Sequence, residues 1–236
     1  MQKLIQFLLK IHKFAFQHLF YAVALSTFLV FFYFSGRVYL ARQVRFTFLI
    51  WNLFLAWLPY TFALAASAIH QVRPNWCFAL LIPSGLWLLF LPNAFYIVTD
   101  FIHLTKHPLI PIWYDAGLLA ITSWTGIFLA VVSLFTMQRI IRGYLGNLLS
   151  WGFSLLVILL NGYGVYLGRF LRWNSWDVFF DPIEILSYSY TLLRNPMDSK
   201  DVIGFIVMYT SLFLVTYLTF SWLLLSKEKD VQKLSP

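Results

Sequence analysis

The sequence predicts an all-α membrane protein with six transmembrane helices and a short interfacial helix in the loop from 169 to 201. Three observations carry this. The 236 residues are 61% hydrophobic, 20% aromatic and only 11% charged, far from the balance of a soluble domain. The charges are spaced so that six uncharged windows remain, at 14–36, 46–72, 74–99, 116–138, 143–168 and 202–226. A helix rises about 1.5 Å per residue and the hydrocarbon core is about 30 Å thick, so each window is long enough to cross with some tilt. Six crossings put both termini on one side.

Taken in order, residues 1–17 form a basic amino-terminal segment carrying Lys3, Lys10 and Lys13. Ala22-Val23-Ala24 resembles a signal-peptide cleavage site, but the apolar run continues through Phe34 where a cleavage site would end it, so the first helix is expected to stay. Residues 18–226 read as a single six-helix transmembrane domain and 227–236 as a carboxy-terminal tail. Pro59 and Pro92 stand inside the second and third helices, where each would leave a carbonyl unpaired, at Leu55 and Leu88. A loop near Arg139 to Arg142 is expected to separate the fourth and fifth helices. In the longest loop, Asp181-Pro182-Ile183-Glu184 has the order of an N-cap, a first-turn proline and an early acidic residue. Ile183, Leu186, Tyr190 and Leu193 then recur at helical spacing and Asn195-Pro196 closes the segment, as expected of a helix lying face-down at the interface. Cys77 is the single cysteine, which excludes an internal disulfide and a Cys-rich metal site, and it is expected to pack.

The net charge of +8 does not point to nucleic acid, because the basic residues stand singly beside apolar windows, as anchors for lipid headgroups do. Membrane lipids are the expected partners. Call the terminal side A and the opposite side B. Lys and Arg divide almost evenly between them, but four of those on B lie in the longest loop, which the positive-inside rule discounts, so the termini are expected to be cytoplasmic and the protein to reside in the cell membrane. Asp100, Asp115, Asp177, Asp181, Glu184, Asp198 and Asp201 all fall on side B, which makes it the side for mixed-sign chemistry.

Asn52, Asn93 and Asn161 sit seven or eight residues from side B charges, on the order of 10 Å below that face. They are either packing amides bonded between helices or the floor of a polar pocket. Above them Asp100, His103 and His107 share a face if the third helix continues past the membrane edge. Their side-chain types suit zinc, but no accompanying framework supports a metal, and none is assigned. At the end of the fifth helix, GRFLRWNSWD from Gly168 to Asp177 crowds Arg169, Arg172, Trp173, Asn174, Ser175, Trp176 and Asp177 together. Arg169 and Arg172, three apart, are expected to face one way, either snorkelling at the interface or gripping a phosphate or carboxylate with their planar forks.

That segment and LPNAFYIVTDFIHL, from Leu91 to Leu104, together resemble the bacterial membrane family catalogued as domain of unknown function thirteen sixty-one, and the WYD at 113–115 also fits. The resemblance covers about 45–225 and implies Pro92, Asn93, Tyr96, Asp100, His103, Asp115, Arg169, Arg172, Trp173, Asn174, Trp176 and Asp177 as signature positions. It implies no reaction.

The function expected from these residues is handling of an anionic or lipid-linked small-molecule substrate from side B. Arg169, Arg172, Trp173, Asn174, Trp176, Asn93, Asn52, Asn161 and Asp115 would bind it. His103, oriented by Asp100, and Asp177 would be the groups for proton transfer. No cofactor is indicated. A non-catalytic scaffold or assembly role is the alternative. Transport comes third, because the windows hold no ionisable group at depth apart from histidines near the edges.

Overall fold

The structure is a computed structural model that describes residues 2–195 and 199–234, so Pro196 and Asp198 lie outside the described residues. It is built of helices, with no strand among the described residues. In chain order they are α1 (Gln2–Gln17), α2 (Phe20–Ala41), α3 (Thr47–Val72), α4 (Cys77–Tyr96), a 3-10 turn (Ile97–His103) and α5 (Ile112–Tyr166). After a π turn (Leu167–Leu171) follow α6 (Asp177–Phe180), α7 (Pro182–Arg194) and α8 (Lys200–Leu234). Among the described residues, five stretches are long and apolar enough to cross a membrane: Phe20–Ala41, Thr47–Val72, Cys77–His103, Ile112–Leu171 and Lys200–Leu223. The protein is a multi-pass membrane protein.

The fourth stretch holds 60 residues. At about 1.5 Å per residue a straight helix of that length would be about 90 Å long, three times a hydrocarbon core. It is not straight. Gly146 takes φ 79 and ψ −178 inside it, a conformation that L side chains avoid. The Gln138 Nε2 donates to the Ser150 carbonyl at 3.4 Å, a contact between residues 12 apart that only a chain reversal permits. The expected loop at Arg139 to Arg142 is therefore helix, and the turn falls on Gly146, a residue that adopts this conformation without steric cost.

The first limb of α5 is the centre of the bundle. Leu118, Leu119, Thr122, Thr125, Leu129, Ala130, Ser133 and Leu134 are all buried along it. Around it pack Leu53 and Tyr60 of α3, Trp87 and Leu91 of α4, and Phe213 and Tyr217 of α8, which are also buried. Serines and threonines on the packed faces return their hydroxyls to carbonyls of their own helix, as Thr122 does to Leu118 and Thr136 to Val132, so small polar residues cost little in a dry interior. On its other side α4 lies against the second limb of α5, and a Cβ at Gly164 would stand 2.5 Å from Cγ of Pro92. Glycine there lets the two helices bearing the sequence motifs approach closely.

Several expectations are corrected. Charges do not delimit the first span: Arg37 lies inside α2 and is buried, because Asp115 neutralises it there. The basic segment before it is a separate helix, α1. The third helix tightens to a 3-10 turn at Ile97 and ends at His103, so His107 is not on a continuing helical face. Cys77 is exposed at the start of α4, where the chain has only just re-entered the helical layer. Asp181 occupies the N-cap of α7 without a side-chain cap bond, and α8 runs on through the expected tail. Ile183, Leu186 and Tyr190 are exposed together on α7, and the side chain of Leu193 lies outside the described residues.

Candidate functional site

The site is built where the 3-10 turn after α4 meets the π turn after α5. Residues three apart on a 3-10 helix lie over one another, so Asp100 and His103 share a face. Asp100 is 1% exposed, and a buried carboxylate needs partners. It has two. Asn52 of α3 donates Nδ2 to Asp100 Oδ2 at 2.8 Å, and Arg169 donates Nη1 to Asp100 Oδ1 at 3.4 Å.

Arg169 is the hub. Its Nη1 also donates to the Tyr96 hydroxyl at 2.9 Å, its Nη2 meets His103 Nε2 at 3.1 Å, and its guanidinium lies 5.4 Å from the centre of the Tyr96 ring. A guanidinium has donors only, so His103 must present an unprotonated Nε2 and carry its hydrogen on Nδ1. His103 is exposed, with its ring 4.8 Å from that of Phe48. Asp100 was expected to orient His103 directly. Instead the arginine stands between them, and His103 can accept a proton at Nε2 only by releasing Arg169.

Arg172 does not join this cluster. The π turn winds wider than an α-helix and Arg172 itself takes a left-handed φ of 58, so the three-residue spacing no longer aligns the two arginines. Arg172 is exposed and has no hydrogen bond or ion pair among the described residues. Beyond it the chain makes a tight turn. The Asn174 backbone N–H donates to Asp177 Oδ2 at 2.6 Å and its Nδ2 to the same oxygen at 3.4 Å, so Asp177 holds the loop's shape. Trp173 sets its ring edge-on to Tyr188 at 6.1 Å, tying this loop to α7, while Trp176 is exposed.

The three amides occupy three different settings. Asn52 serves Asp100. Asn93 donates Nδ2 to Ser175 Oγ at 2.8 Å and to the Phe90 carbonyl at 3.1 Å, so it anchors the GRFLRWNSWD loop onto α4. Asn161 is buried, and neither side-chain atom finds a partner among the described residues. Only Asn93 faces the adjoining cavity, a space of about 460 Å³ between α4 and the second limb of α5. Apolar residues such as Leu88, Leu89, Leu160 and Phe179 make up most of its lining, and Asn93, Tyr96, Asn174 and Ser175 add amide and hydroxyl groups.

A family profile described as "Protein of unknown function (DUF1361)" matches residues 51–216. The chain belongs to that family. No curated protein and no solved structure gives a significant match. The span shared with the family takes in every member of the Asp100–Arg169 cluster and leaves out α1, α2 and Arg37.

Asp115, also within the shared span, lies apart from the cluster. Arg37 grips it through two bonds, Nε to Oδ1 at 2.7 Å and Nη2 to Oδ2 at 3.2 Å. Sequence reasoning missed Arg37, whose signal was an arginine flanked by aromatic and apolar residues four positions before a helix end. It also missed the placement of Ser175 against Asn93. His107 has both ring nitrogens engaged, Nε2 with Gln43 at 3.4 Å and Nδ1 accepting from the Leu109 N–H at 3.2 Å. Among the described residues no three His, Cys, Asp or Glu side chains gather closely enough to hold a metal ion.

Proposed function

We propose that the protein handles an anionic, lipid-linked substrate at side B, with the lipid portion in the cavity between α4 and the second limb of α5 and the anionic group at its side B end, where the loop carrying Arg172, Asn174 and Ser175 meets Tyr96. The observation that carries this reading is the cavity's lining: apolar side chains throughout, with the amides of Asn93 and Asn174 and the hydroxyls of Ser175 and Tyr96 set among them, and the Arg169 hub joined to it through Tyr96. In this reading Arg172 supplies the uncommitted cation. Arg169, already balanced by Asp100, positions His103. An incoming anion that draws Arg169 away would free His103 Nε2 to take a proton.

The reading includes the topology. The two limbs of α5, reversing at Gly146, count as two crossings in this reading, six with the other four candidate spans, and the termini then share the cytoplasmic side of the cell membrane. A scaffold role is the second reading, favoured by the exposed Phe179, Phe180, Ile183 and Leu186 of α6 and α7, which could seat a partner protein.

Native mass spectrometry of the full-length protein, delipidated and then offered phosphatidic acid or diacylglycerol, tests the substrate reading. Preferential retention of phosphatidic acid is expected, with about a tenfold loss in Arg172→Ala, the scale of one charge-assisted bond. Equal retention of the two lipids, or no change in Arg172→Ala, overturns it.

A further inference from the structure

The amino-terminal helix α1 is built to lie in a membrane surface. Gln6, Lys10, Lys13 and Gln17 recur at i, i+4, i+7 and i+11, so all four polar groups fall in one narrow strip. Among residues 4–17 the rest of the circumference is apolar except for His12, which is bonded to Tyr21, and its large side chains are open along the whole helix, from 61% exposed at Leu4 through 59% at Phe7 and 49% at Ile11 to 67% at Phe16. Seven exposed large hydrophobics on one 16-residue helix would be a liability in water.

The junction with α2 shows where this helix points. Leu19 takes a left-handed φ of 58 between α1 and α2, which breaks the helix into a corner. His12 Nδ1 meets the Tyr21 hydroxyl at 2.8 Å across it, between positions that a straight helix would separate by about 13 Å. The corner is fastened to the bundle: His18 is buried, its Nε2 meets Ser67 Oγ at 3.0 Å, and its carbonyl accepts the Tyr60 hydroxyl at 3.0 Å. Ser67 lies near the side A end of α3, which ends at Val72. The chain therefore leaves the membrane span at the boundary of the bilayer, and α2 is the main helix against which α1 rests.

We infer that α1 is an in-plane contact surface for anionic lipid on side A, with its apolar arc sunk to the headgroup–acyl boundary and Lys10 and Lys13 raised among acidic headgroups. Three features select this occupant over a second protein. The apolar arc continues directly into the lipid-facing surface of α2, where Phe20, Leu25 and Phe28 are exposed. The polar strip carries lysines and no acidic residue, which complements an anionic leaflet. The bonded corner at His18 holds the helix at the level where headgroups lie.

The test uses the full-length protein in nanodiscs, Cys77→Ser, with one spin label at a time at Leu8→Cys, Ile11→Cys, Gln6→Cys or Lys13→Cys. Labels at positions 8 and 11 should collide with oxygen and be shielded from a water-soluble nickel chelate, and those at 6 and 13 should behave oppositely. In Lys10→Gln/Lys13→Gln, the shielding at position 8 should fall in nanodiscs containing phosphatidylglycerol and stay unchanged in pure phosphatidylcholine. Equal chelate access at positions 6 and 8 overturns the in-plane placement. Shielding of all four positions from both reagents also overturns it, since a protein would then cover the helix. An unchanged response to the lysine substitutions in anionic nanodiscs overturns the charge component.

Discussion

Arg37 and Asp115 meet through two parallel bonds, Nε to Oδ1 at 2.7 Å and Nη2 to Oδ2 at 3.2 Å, with side chains 0% and 1% exposed. The pair ties the end of α2 to the start of α5. The guanidinium also stacks 4.5 Å over the Phe46 ring, and its Nη1 is buried without a hydrogen-bond partner among the described residues. Such a pair resists loss of one member far more than loss of both, because a lone buried charge keeps its desolvation cost without its counter-ion. Asp115→Ala and Arg37→Met should each destabilise the protein by about 3–5 kcal/mol, while Arg37→Met/Asp115→Leu should cost much less than their sum. Thermal unfolding of the detergent-solubilised variants reads this cycle. Additive single effects would show that the pair is not a closed unit.

The Asp100 carboxylate should depend on Asn52 as much as on Arg169. Asn52→Leu removes the shorter of its two bonds and leaves Oδ2 buried without a donor, a loss of about 1–3 kcal/mol. In Asp100→Asn the same Asn52→Leu change should matter less, since the charge that needed the amide has gone. A double-mutant cycle in thermal stability measures the coupling, and a value near zero would separate Asn52 from the cluster.

Arg169→Lys should not substitute for arginine. Arg169 addresses Tyr96 and Asp100 through Nη1 and His103 through Nη2, a fork that a single ammonium cannot reproduce. Nitrogen-15 chemical shifts of His103 should therefore change in Arg169→Lys as well as in Arg169→Ala. Retention of the arginine-bound shift in the lysine variant would contradict the hub arrangement.

Gly146→Val should destabilise the reversal in α5 by about 1–3 kcal/mol, the cost of holding an L residue at positive φ with extended ψ, a region that essentially only glycine adopts. Gly152→Ala, where a Cβ meets nothing within 4 Å, is the matched control. Impermeant maleimide labelling of single cysteines at Asn147 and Trp113, each in Cys77→Ser, tests the six-crossing topology. The two positions should label from opposite sides.

Asn93→Leu should impair retention of an anionic lipid more than it lowers melting temperature. The leucine is compatible with the bilayer, and the amide bonds it removes are worth only about 0.6–2 kcal/mol in a membrane. Its loss nonetheless releases Ser175 and the loop that closes the cavity. A fall in stability with unchanged lipid retention would make Asn93 a packing residue.

The sequence by itself determined the all-helical membrane class and the two polar segments that frame the candidate site. Those features are carried by local quantities: runs of apolar residues, the spacing of charges, and the lipid's intolerance of unpaired backbone. Tertiary structure decided the partnerships. Asn52 reaches an aspartate 48 residues away, Arg169 a tyrosine 73 residues away, and Arg37 an aspartate 78 residues away, and none of these distances leaves a periodic trace in one dimension. It also decided where helices end. A charge marks a boundary only when it has no counter-ion, so Arg37, matched by Asp115, sits within a span. A glycine makes a turn only when φ demands it, so α5 passes through Arg139 and Arg142 and reverses at Gly146.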